Sequence, residues 1–155
     1  MAAASFPAAA VNPSRRVLTD LLMPGQRRIH FQKESPPRQR KVLAAITELD
    51  VRVNLYAVPR ADAGSRRLCL TAIVRDAASI AELLVVERDE STLVSDRQTL
   101  YRAVRQFNCS ETLQYELLAP HLDPLLWVPD AVVWAWAKGR EWRELVREYC
   151  TLRSV

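Results

Sequence analysis

The residues most able to do chemistry in this chain are four carboxylates and one imidazole. Asp130 is the only charge in the fourteen-residue run 124–137, PLLWVPDAVVWAWA. A carboxylate is costly to bury unless something pairs with it or binds it, so Asp130 is either the acid of a helix start or a metal ligand. Glu87 and Asp89 stand in the run Glu87-Arg88-Asp89-Glu90, directly after the apolar stretch 83–86, and Glu34 follows the stretch 28–32. Hard divalent cations take one or two carboxylates together with water and phosphate. Two-ion phosphodiester cleavage needs several carboxylates around ions ~3.5–4 Å apart. Glu87, Asp89 and Asp130 are therefore candidate ligands for magnesium or manganese. Glu34, Glu87 and Asp130 are the candidate catalytic acids, with His30 as a proton carrier or phosphate donor.

Each of these residues also has a plain structural reading. The run 87–90 is a solvated turn in that reading. Asp130 follows Pro129 and would sit in the first turn of a helix, where the dipole favours an acid by ~0.3–1 kcal/mol. His30 alternates with Ile29 and Phe31, which points it away from a core, and Glu34 simply precedes a helix start at Ser35. His121 has only Asp123 near it and reads as loop. Trp127 and Trp134 are seven residues apart, a spacing that suits core packing better than base stacking, and Trp136 and Trp142 fall elsewhere on the helix. With three glycines and no phosphate loop, GxSxG or HExxH motif, the chain lacks support for hydride transfer, kinase or serine-hydrolase chemistry.

The elements that must position these groups alternate in type. Asn12-Pro13 reads as the cap and first residue of a helix to about Leu22, ended by Pro24-Gly25. Residues 28–32 alternate polar and apolar, as a strand does. Ser35-Pro36 opens a helix to about Leu49, and residues 51–58 form a period-2 strand closed by Pro59 and the turn 62–64. A helix over 65–79 leads to the continuous apolar strand 83–86, of the type buried on both faces. Ser95 or Asp96 caps a helix to about Phe107, and residues 113–117 are the last strand. A terminal helix starts at Asp123-Pro124 or Pro129, breaks at Gly139 and continues as an amphipathic tail over 140–152. Strands alternating with helices of this length predict an α/β fold with a mixed, mostly parallel sheet flanked by helices. Sites in such sheets lie at the carboxyl ends of strands, where Glu87 and Asp89 fall.

With 155 residues the chain is expected to close one domain. Its formal charge of +4 is unevenly spread. From Arg15 to Lys41 there are eight basic and two acidic residues, a net +6. From residue 42 onward there are fourteen basic and sixteen acidic residues, a net −2. That asymmetry suits a surface facing a polyanion such as nucleic acid, although 19 of the 22 basic residues are Arg, which GC-biased coding also produces. The three cysteines lie far apart without metal-ligand spacing and are expected to be free thiols. No apolar run reaches the ~18 residues of a membrane span. The uncharged, Ala-rich residues 1–14 are followed, not preceded, by Arg15 and Arg16, unlike a signal peptide. A cytoplasmic protein without a membrane partner is expected.

The order of parts resembles a group of uncharacterised bacterial RNase H-like proteins. In these, a first strand carrying Asp-Glu-Ser-Gly is followed by an acid/His element, a buried strand ending in a carboxylate, and a helix that starts roughly Gln-Leu-Ala-Asp-Leu. Here RIHFQKE (28–34) is similar to the acid/His element and LVVE (84–87) to the strand-end carboxylate, with Glu for the usual Asp. WVPDAV (127–132) is similar to the helix start, and PGQRRIHFQKES and LLWVPDAVVWAWAKG resemble stretches of actinobacterial proteins. The resemblance covers roughly residues 8–138. It implies a magnesium-dependent nuclease-like site built from Glu87, Asp130 and Glu34. The Asp-Glu-Ser-Gly strand has no counterpart; Asp89-Glu90-Ser91-Thr92 comes late and lacks the glycine. The expectation is therefore either a chain truncated at its N-terminus or a degenerate relative that binds without cleaving. The rival expectation is a non-enzymatic nucleic-acid- or protein-binding module.

Overall fold

The computed structural model describes residues 1–59 and 62–155. Two compact units emerge: a terminal unit of Ala2–Leu55 and Pro120–Leu152, and a central unit of Tyr56–Ala119 with Met1 and Arg153–Val155. The class is α/β, with a three-stranded and a two-stranded sheet.

In the terminal unit, strand β1 (Ala2–Ser5) runs antiparallel to β2 (Arg52–Ala57), in register from Ala2 opposite Leu55 to Ser5 opposite Arg52. The expected period-2 pattern holds from Val51 to Leu55, with Val51, Val53 and Leu55 buried and Arg52 exposed, and breaks at Tyr56, which is buried beside Leu55. Helix α1 spans Ala8–Asp20 and begins five residues before the expected first helical residue, Pro13. Pro7, at φ −57°, leads into three alanines, the best helix formers. Pro13 is thus carried inside the helix, where it withholds one amide from the ladder.

Residues 28–32 do not form the expected strand. Ile29 and Phe31 are buried as their alternation suggested, but the backbone turns and enters a 3-10 helix over Phe31–Lys33. The carbonyl of Phe31 is satisfied by the Gln39 side-chain amide at 3.0 Å instead of by a neighbouring strand. Helix α2 (Pro36–Thr47) follows Ser35 as expected, with Val42, Leu43 and Ile46 inward.

Central-unit helix α3 (Ser65–Ala77) and strand β3 (Leu83–Glu87) lead into helix α4 (Leu93–Gln106) and strand β4 (Gln114–Leu118). β3 and β4 pair in parallel, from Leu83 opposite Gln114 to Glu87 opposite Leu118. Residues 83–86 are a strand but not one buried on both faces: only Val86 is buried, and Leu83 is 47% exposed. A two-stranded sheet leaves such residues uncovered where a wider one would bury them. Leu70, Val74, Val86, Leu100, Ala103, Val104, Cys109 and Leu113 make this unit's core. Asn108, at φ 53°, closes α4 in the left-handed region that Asn tolerates better than most residues.

Back in the terminal unit, a 3-10 turn over Pro124–Leu126 leads into helix α5 (Trp127–Lys138). Val128, Ala131, Val132 and Ala135, at helical spacing, join Leu18, Ile29, Phe31, Val42, Leu43 and Ile46 in one core. Gly139, at φ 71°, ends the helix where a break was expected. The tail beyond it is not one amphipathic helix. Helix α6 stops at Arg140–Glu144, a 3-10 turn covers Arg147–Tyr149, and β5 (Cys150–Ser154) joins the sheet beside β2, giving the order β1-β2-β5. Among the described residues no helix is long and apolar enough to cross a membrane.

Candidate functional site

The four carboxylates and the imidazole singled out by sequence divide between the units. His30, Glu34 and Asp130 lie in the terminal unit, Glu87 and Asp89 in the central one. Asp130 stands exposed in the first turn of α5. Its apolar neighbours go inward and it goes to water, so the burial cost that made it conspicuous does not arise. Glu34 is the enclosed acid. Its side chain is 7% exposed, accepts from Gln26 Nε2 at 2.6 Å and pairs with Arg38 at 3.6 Å. Arg38 in turn donates to the Leu21 carbonyl. His30 is half-buried rather than turned out to solvent, and its Nδ1 is buried without a hydrogen-bond partner.

Glu87 and Asp89 stand exposed at and just beyond the carboxyl end of β3. Asp89 accepts from the Ser91 hydroxyl at 2.7 Å and its amide at 2.9 Å. Those bonds hold its carboxyl below the usual range. Among the described residues no three of His, Cys, Asp and Glu gather into a group that could hold a metal ion. Glu34 and Asp89 already have hydrogen-bond partners.

The buried acids lie elsewhere, and arginines hold them. Asp96, 2% exposed in the first turn of α4, accepts from Arg66 Nε and Nη2 at 2.9 and 2.8 Å and from Thr92 Oγ1 at 2.8 Å. The hydrogen bonds to Asp96 raise the Arg66 pKa further against the opposing effect of burial, and the charges of Asp96, Asp89 and Glu87 add to the rise. In the terminal unit Asp123 accepts from Arg15 Nε and Nη2 at 3.1 and 2.7 Å and from the Leu125 amide at 3.0 Å. Asp123 thereby caps the 3-10 turn that leads into α5. Sequence reasoning considered Asp96 only as a helix cap and Asp123 as a helix start, because no spacing rule links them to arginines 30 and 108 residues away.

These pairings sort the basic segment. Of the eight cations between Arg15 and Lys41, Arg15 and Arg38 serve enclosed carboxylates, and Arg40 pairs with Glu141 at 2.8 Å while lying 4.6 Å from the Trp142 ring centre. Arg16 on α1, Arg27 in the following loop, Lys33 in the 3-10 turn and Lys41 on α2 stand exposed. The two acids of the segment are unequal opponents, since Glu34 is enclosed and only Asp20 is exposed. The tryptophans here are structural. Trp134 meets Phe31 at 5.4 Å and Trp142 at 5.1 Å, edge to face, and Trp127 Nε1 donates to the Pro120 carbonyl.

All three cysteines are free. Cys69 and Cys109 are buried, and burial pushes the Cys150 thiol up to about 11. Compared with known proteins, the chain matches no family model, no curated protein and no solved structure.

Proposed function

We propose that the protein is a non-enzymatic polyanion-binding module whose terminal unit contacts the phosphate backbone of nucleic acid. The observation that carries this is the sorting of charge between residues 15 and 41. Within residues 15–41 the enclosed Glu34 is neutralised internally, while Arg16, Arg27, Lys33 and Lys41 remain exposed against Asp20 alone. Phosphate contacts of this kind supply affinity without sequence choice and release condensed counterions. The scaffold is an α/β domain of RNase H-like ancestry, supported by the order of the His30–Glu34, Glu87 and Asp130 segments.

The test is fluorescence anisotropy of a labelled oligonucleotide with the wild type and with a variant combining Arg16→Gln, Arg27→Gln, Lys33→Gln and Lys41→Gln. The variant is expected to bind more weakly and to lose about three units of the log–log salt slope, at ~0.7 per single-stranded phosphate contact. Unchanged affinity in the variant contradicts the proposal.

A magnesium- or manganese-dependent hydrolase is the second reading. It is favoured by Glu87 and Asp89 at the carboxyl end of a parallel strand, where α/β sheets place ligands. Cleavage that EDTA abolishes and Glu87→Gln removes would establish it.

A further inference from the structure

We infer that the central unit carries a nucleotide pocket between α4 and β4, in which Tyr101 and Tyr115 stack a base and Arg97 takes its phosphate. It extends the nucleic-acid reading above to a second contact of different chemistry. An open surface groove with a volume of about 490 Å³ is lined there by Arg97, Gln98, Tyr101, Tyr115 and Leu117. That volume falls within the range of small-ligand pockets.

The charge around the pocket is one-sided, for reasons visible in each element. Helix α4 exposes Arg97, Arg102 and Arg105, while its only acid, Asp96, is buried and held by Arg66. A spacing of four residues aligns Arg97, Tyr101 and Arg105 along one line of the helix. The Arg105 guanidinium lies 3.7 Å from the Tyr101 ring centre, which orients a ring that is still 52% exposed. On β4, the period of two places Tyr115 and Leu117 on one face and the exposed Glu116 on the other. The lining therefore holds two phenol rings, an amide, a guanidinium and a leucine, with no carboxylate. Flat aromatic surface suits the rings, a hydrogen-bonding edge suits Gln98, and an anion suits Arg97. A base joined to a phosphate combines all three, whether as a free nucleotide or as one residue of an unpaired strand.

The test uses the full chain and three probes: a 2-aminopurine mononucleotide read by fluorescence quenching, a labelled thymidylate strand of about twelve nucleotides, and an abasic strand of equal length and charge. Wild type is expected to bind the base-bearing strand about tenfold more tightly than the abasic one. Tyr101→Ala should bring that ratio to about one, and Tyr101→Phe should restore it. Arg97→Gln should weaken binding of the base-bearing strand and of the mononucleotide, where that binds. The variant neutralised at Arg16, Arg27, Lys33 and Lys41 should weaken both strands alike and leave the ratio intact, which separates failure of the pocket from failure of the backbone surface. Quenching of the free mononucleotide assigns the pocket to nucleotides in general. A strand ratio without such quenching assigns it to unpaired strands. Equal affinity of wild type for both strands, or a ratio that survives Tyr101→Ala, overturns the inference.

Discussion

Asp96 and Asp130 show how little a residue's sequence neighbours say about its electrostatic role. Asp130 sits in the most apolar run of the chain and is exposed, whereas Asp96 sits in a polar stretch and is 2% exposed. Asp96→Ala leaves Arg66 and Thr92 without their acceptor and should destabilise the protein by about 3 kcal/mol. Asp130→Asn should cost ~0.5 kcal/mol or less, the loss of a favourable dipole contact. Chemical denaturation of the two variants checks both, and a large loss from Asp130→Asn would give that residue a structural partner not seen in its exposed position. A pH effect belongs to the same scale. Burial raises the Cys150 thiol to about 11 from an ordinary 9, and burial with the neighbouring Cys150 raises the Tyr149 hydroxyl above its ordinary range. A raised acid pKa means that the folded state holds its proton longer than the unfolded state. The contribution is complete below pH 9 and is lost as pH rises through 9 to 11. Stability measured across that interval should fall, and Cys150→Ala should flatten part of the fall.

At the scale of elements, legibility followed how local the cause was. The period of β2 up to Leu55, the Ser35-Pro36 start of α2 and the break at Gly139 all depend on neighbouring residues, and each lies where its pattern placed it. Gly139 holds φ 71°, which costs a side-chain-bearing residue energy even though a Cβ would meet nothing closer than 3.9 Å. Gly139→Ala should therefore lower stability by ~1 kcal/mol, seen as a shift of the urea midpoint with an unchanged slope. Where the cause lay across the chain, local pattern failed. Residues 28–32 alternate like a strand but are held by the Gln39 side chain, and residues 150–152, expected to end the amphipathic tail that starts at Arg140, join the sheet beside β2. The candidate site was legible in its residue types and not in its grouping. Glu34 was recognised as a chemical residue, but its pairing with Gln26 and Arg38 depends on how a loop turns. The α4 line Arg97-Tyr101-Arg105 has a plain four-residue spacing. It was hidden by the near-neutral charge of the sequence around it, because that count does not separate the buried Asp96 from exposed acids.

Over the whole molecule, the net charge of +4 is the residue of a larger separation. Carboxylates held by arginine bonds, such as Asp123 and Glu34, consume cations without giving the surface a negative field, and the exposed lysines and arginines between residues 15 and 41 dominate that segment. Binding that rests on them needs no metal and weakens steeply with salt. The decisive measurement is oligonucleotide affinity against salt concentration, in EDTA and again in magnesium, with the oligonucleotide inspected for cleavage. Binding in EDTA with a steep negative log–log slope and an intact oligonucleotide in magnesium is the predicted result. Binding that requires the divalent ion, cleavage in its presence, or affinity indifferent to salt would contradict it.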